Sequence, residues 1–350
     1  MNPFICKTLT SVFFKNSPHL CKPPSPHSIS LLFFSSSCSI SNGPSEEKTK
    51  ISLADYLINQ QQFSSEAASK ASSIQSYLKK PGNAEAVLSF LKESGFSHAH
   101  IEKVVKREPN VLFTNLDNNI KFKTAMFENF GFPSADIVHI LSADPWIFTG
   151  RSENELICSI LILKSVVGSI ANVSRLLKIS GWFLRCDLKK TLIPNIEFLN
   201  SCRISTSQIA KYIFHFPRLF LHKPENVKHF VKRVDELGFD RKSKMFLQAI
   251  RTMSAMTEQN WELKLKAFRS LGYSEDDILS MFRRSPQAFA MSERKIQGVT
   301  EMLLSRGDMD ISFIVQNPSL FLCSIEGSLK PRLRVYDILK KAGDGVLLAF

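Results

Sequence analysis

The chain is poor in the residues that tight turns and metal chemistry need. It has 14 Gly and 16 Pro in 350 residues, too few for an all-β chain of short strands and tight turns. Tyr (5) and Trp (3) are scarce beside 28 Phe. The seven cysteines are Cys6, Cys21, Cys38, Cys158, Cys186, Cys202 and Cys323. They include no C-x-x-C and no Cys/His pair at zinc spacing, so they read as packed or reduced thiols. His98, His100, His215, His222 and His229 likewise lack a ligand partner at metal spacing. No P-loop, no G-x-S-x-G and no paired nucleophile and base occur. The expectation is a non-enzymatic protein without cofactor or metal. The longest apolar runs, such as Leu156 to Leu163, fall well short of the ~20 residues of a bilayer span.

Acids are missing from residues 1–45, which hold 11 Ser, 5 Phe, 3 Lys and no Asp or Glu. Such a segment ahead of a charged, periodic region fits an organellar transit peptide. It lacks the single apolar core of a secretory signal. The mitochondrion is the expected destination; the segment has no Arg, which mitochondrial presequences usually carry, and that departure keeps the chloroplast open. The other end, residues 342–350, reads as a tail, with the apolar VLLAF where a polar capping helix is expected.

The net charge of +13 is unevenly spread. Residues 46–174 carry 13 basic and 14 acidic side chains, and residues 235–350 carry 17 and 15. Residues 175–234 carry 12 basic and 3 acidic side chains. Nearly all the excess outside the first segment therefore sits in one stretch, which favours a polyanionic partner.

The body is a repeat. Pro109, Pro145, Pro217, Pro286 and Pro318 fall on slots about 35 residues apart, with Gly181 and Ser254 in the two slots that lack proline. Ahead of each slot stands an apolar triple at helical spacing. The triples are Ile101, Val104, Val105; Ile137, Ile140, Leu141; Val173, Leu176, Leu177; Ile209, Tyr212, Ile213; Phe246, Ala249, Ile250; and Ile278, Met281, Phe282. The last, Ile311, Ile314, Val315, is displaced by one. Three residues after the slot come Leu112, Phe148, Leu184, Phe220, Phe289 and Phe321, with Phe113 one later in the first unit. Proline lacks the N–H and stops the first helix, and the Phe behind it can plug the gap between hairpins. Gly95, Gly131, Gly168, Gly238 and Gly272 follow the second helices as left-handed stops. The fourth unit has none. The expected fold is all-α: an α-solenoid of about seven tandem hairpins over 81–341, preceded by leader helices over 46–80.

The segments IVHILSADPWIF, IAKYIFHFPRLF and ILSMFRRSPQAF, and the leader SLADYLINQQQFSSEAASKAS at 52–72, resemble the mitochondrial transcription termination factor (mTERF) family, in its plant branch. The resemblance covers roughly 51–340. It implies a helical superhelix that binds nucleic acid inside an organelle, acting in transcription termination or initiation, RNA processing or splicing.

The candidate interface is the basic stretch: Arg175, Lys178, Arg185, Lys189, Lys190, Arg203, Lys211, Arg218, Lys223, Lys228, Lys232 and Arg233. Lys and Arg displace condensed counterions from a duplex. The expected partner is double-stranded DNA, bound by a monomer without membrane association. Two readings stay open: an organellar RNA-binding factor for splicing or processing, and a protein-interaction scaffold. Trp182, Phe183, Tyr212, Phe214, Phe216 and Phe220 interleave the basic residues and read mostly as core.

Overall fold

The computed structural model describes residues 51–78 and 81–341. The expected transit peptide at 1–45 and tail at 342–350 lie outside them.

Helices form where the apolar triples fall. The first helices of the seven units are His98–Arg107, Ser134–Ala143, Ile170–Ile179, Thr206–His215, Phe246–Ser254, Glu275–Arg284 and Ile311–Gln316. Every triple is buried except at Tyr212 and Ile311, which are half-buried. Ser or Asp N-caps start five of the seven. Ser274, for instance, receives the Asp277 N–H at 3.2 Å while the Asp277 carboxylate accepts from the Ser274 N–H at 3.0 Å. His100 fills the same role for Ser97, and His98 reaches the Gln61 carbonyl at 2.9 Å. Both are capping and packing histidines.

At the slots the chain makes a short turn and reverses into the second helix. The plugs Leu112, Phe148, Leu184, Phe220, Phe289 and Phe321 are all fully buried. First helices stack on first helices through units one to four and again from unit six to seven. Second helices pack on second helices between units three and four and units five and six, giving two helical layers. In unit five Phe246–Ser254 lies chiefly against the preceding second helix, Pro224–Glu236. The leader joins this stack. Its helix Ser65–Ile74 lies on the first helix of unit one, with Glu66 paired to Lys106 at 2.5 Å and Ser64 N–H donating to Glu102 at 2.9 Å. A two-residue antiparallel pair, Ile51–Ser52 with Tyr77–Leu78, closes that end.

Successive units are also clamped by polar side chains that the sequence reading passed over. Lys123, almost fully buried in the second layer, donates to the carbonyls of Ile147 and Phe148 in the next turn, both at 2.9 Å. Burial pushes its pKa down. Asn195 does the same to Phe220 and His222 at 3.0 and 2.8 Å. Both stand 22 residues ahead of the next slot, a periodic polar signal hidden among apolar ones.

Two departures from the pattern have structural reasons. In unit five the first helix continues through Ser254. Met253 is buried there, and Thr257, standing where a Phe plug is expected, caps the second helix. In unit four the left-handed stop is kept without glycine. Arg203 adopts φ 70°, its N–H donating to Asn200 at 3.0 Å and the Ile204 N–H to Leu199 at 3.2 Å. Gly131 makes the same pair of bonds. A side chain in this region costs about 1 kcal/mol or more. Arg203→Gly is expected to raise stability by about 0.5–1 kcal/mol, read as a higher urea midpoint at unchanged slope. A lowered midpoint would contradict this.

Among the described residues no single helix is long and apolar enough to cross a membrane. Glu153–Val167 and Ile170–Ile179 would suffice together but bend by 107° between them. Their apolar faces, including Leu156, Leu163, Val173 and Leu176, are in the core.

Candidate nucleic-acid interface

The twelve basic residues do not lie on one face. Arg175, Lys178 and Lys211 stand on first helices, and Lys228, Lys232 and Arg233 on the second helix Pro224–Glu236. Arg203 is at the inter-unit edge, where second helices end. The remaining five, Arg185, Lys189, Lys190, Arg218 and Lys223, line the turns of units three and four, and all five are exposed. In those turns, 181–191 and 217–224, Asp187 is the one acid. The turns of units one, five, six and seven carry no Lys or Arg before their second helices begin. The +9 of the middle stretch therefore resolves into a compact basic edge with outlying charges on both layers.

Several of the twelve already have partners. Lys178 pairs with Asp136 of the preceding unit at 2.7 Å, and Ser174 donates to the same carboxylate at 2.6 Å. These hydrogen bonds, that from Lys178 foremost, hold the Asp136 pKa below the usual carboxylate range. Arg185 Nε donates to both oxygens of buried Asp144 at 3.0 and 2.8 Å, and Nη2 joins the same carboxylate. That hydrogen bonding pushes the guanidinium pKa up. Lys190 reaches Asp187 at 3.5 Å and Lys232 reaches Glu236 at 3.6 Å, both exposed pairs that contribute little stability. Among the described residues no carboxylate pairs with Arg175, Arg203, Lys211, Arg218, Lys223, Lys228 or Arg233.

Aromatic rings organise the rest. Arg175 lies over Phe214 at 4.8 Å, Lys228 over Phe198 at 5.9 Å and Arg233 over Trp261 at 6.0 Å. On the turn edge Arg185 lies 5.5 Å from the Trp146 ring and 5.4 Å from Trp182, and Arg218 lies 5.9 Å from Trp182. Phe183 and Phe220 are core, as the sequence suggests, whereas Trp182 is 52% exposed. Among the described residues no group of His, Cys, Asp and Glu is arranged to hold a metal ion.

Gly181 explains itself at this edge. A Cβ there would sit 2.8 Å from Asp144 Oδ2 and 2.9 Å from Asp144 Cβ. Its φ of −65° would suit proline. Proline is excluded by the carboxylate that crosses the slot to reach Arg185.

Two comparisons bear on this fold and site. The mTERF family profile matches residues 88–253 and 244–344. The transcription termination factor MTERF8, chloroplastic, of Arabidopsis thaliana is 20% identical over 284 residues, covering 78% of this chain and 53% of that protein. The chain thus spans about half the length of that curated relative.

Proposed function

The chain belongs to the mTERF family, and from that premise we propose that it is an organellar, non-enzymatic nucleic-acid-binding protein that acts in transcription. Its target on this reading is double-stranded DNA, bound as a monomer, with a role in regulating or terminating transcription. The observation that carries the reading is the basic edge of units three and four. Five exposed cations stand there in turn segments that hold one acid, Asp187, and only Arg185 is engaged by a buried carboxylate, that of Asp144. Phosphates are the polyanion such an edge suits, and their contacts fix position without reading sequence. A protein scaffold would be expected to present a mixed-charge or apolar edge instead. The Arg-free first segment and the chloroplastic name of the Arabidopsis relative favour a chloroplast over a mitochondrion.

Titration of the full chain with a duplex of about three helical turns at low salt, beside single-stranded RNA of the same sequence, tests the reading. Tighter duplex binding is expected. Retained RNA binding with no duplex binding would assign the protein to RNA processing or splicing. Absence of binding to either would remove the nucleic-acid role.

A further inference from the structure

Trp182 is out of place for a repeat residue. The turn Trp182–Arg185 already supplies the core with Phe183 and Leu184, both fully buried. The indole adds nothing to that core and stands 52% exposed. It is nevertheless held in a built setting that spans three units.

The setting starts at Trp146 in unit two, whose ring lies against the backbone of Gly150, where a Cβ would come within 2.3 Å of it. Arg185 of unit three packs over that ring and over Trp182. Asp144 fixes Arg185 by accepting from both Nε and Nη2, and Gly181 is the residue that lets Asp144 through. Arg218 of unit four completes the row at 5.9 Å from the Trp182 ring. Two glycines and one buried carboxylate are thus committed to an alternating row of indole and guanidinium on the outside of the molecule. The Asp144–Arg185 bridge also joins units two and three, but that join does not call for an exposed indole at Trp182. Among the described residues Arg185 Nη1 has no acceptor and Arg218 has no carboxylate partner.

We infer that Trp182, flanked by Arg185 and Arg218, is a stacking platform for an unpaired nucleobase, with the adjoining phosphates carried by the basic turns. The inference rests on the nucleic-acid reading above and adds to it a contact for a base left unpaired where a strand is locally open. A planar ring with cations at its borders suits a base joined to a phosphate: the π-face takes any base, and the cations take the backbone. DNA and RNA share this chemistry.

The test is equilibrium binding of the full chain to unstructured single-stranded oligomers, one of RNA and one of DNA, with a fully paired duplex alongside. Trp182→Ala is expected to weaken single-strand binding by about 5- to 100-fold, and Trp182→Phe to restore most of it. The slope of log K against log salt stays unchanged in Trp182→Ala, since no phosphate contact is removed, and duplex affinity stays within about twofold. Intrinsic tryptophan fluorescence quenched by the single strand in the native chain is expected to lose that quench in Trp182→Phe. The oligomer showing the larger loss identifies the source of the base. Single-strand affinity unchanged in Trp182→Ala, while Lys189→Gln with Lys190→Gln still lowers it, would overturn this inference and leave the nucleic-acid role standing. Absence of binding by the native chain to every oligomer would remove both.

Discussion

Replacing Lys189, Lys190, Arg218 and Lys223 together by Gln is expected to lower duplex affinity by about two to four powers of ten at low salt. It should also flatten the dependence of log K on log salt by up to about 3.6 units, from ~0.9 per phosphate contact. These four share the turn edge of units three and four, where Asp187 is the sole acid. Arg185 is left out of the set because Asp144 already binds its Nε and Nη2, so its removal would also leave a buried carboxylate unpaired. The matched control removes equal charge from exposed Lys70, Lys92, Lys266 and Lys330, which stand on helices outside units two to four. Little change is expected there. Equal losses from both sets would mean diffuse charge attraction rather than an interface.

Phe289→Ala is expected to cost about 3–5 kcal/mol of stability. Phe289 is fully buried, and its ring centroid lies 4.8 Å from Phe268, 4.9 Å from Phe282 and 5.5 Å from Trp261. It therefore joins the turn of unit six to the second helix of unit five and to the first helix of its own unit. No neighbour on a fixed helix can fill the void by rotating alone. Because each unit of a solenoid contacts only its neighbours, the loss should be local. Hydrogen exchange is expected to accelerate strongly in units five to seven and little in units one and two. Uniform acceleration along the chain, or a cost under about 1 kcal/mol, would contradict this account of the plugs.

The architecture was legible because its code is local and repeated. Val105, Leu141, Leu177 and Ile213 recur at one helical phase, four residues ahead of their slots, and Phe148, Phe220 and Phe321 recur behind a proline. Each such position is buried in every unit that keeps it. The exceptions were visible as gaps but not as causes. Gly181 reads as a missing proline until Asp144 is seen crossing the slot. Unit four lacks a stop glycine, yet Arg203 takes the left-handed conformation because the Asn200 and Leu199 carbonyls still require capping.

The interface was legible only as a sum of charge. A window over 175–234 counts Lys178 and Arg185 as surplus cations, but their partners Asp136 and Asp144 lie 42 and 41 residues upstream, outside it. Solenoid contacts fall about one period away, so a linear window separates partners that the stack brings together. Trp182 shows the same limit in reverse. By spacing it belongs to the aromatic core, and only its exposure and its two guanidinium neighbours set it apart.

The central claim is that the turn edge of units three and four is where nucleic acid lies. Photocrosslinking of the full chain to bound nucleic acid in isolated organelles, with mass spectrometry of the crosslinked peptides, addresses it most directly. The account predicts that crosslinks concentrate in 181–191 and 217–224, with Trp182 among the modified residues. Crosslinks confined to units one, six and seven, or none above background, would contradict it.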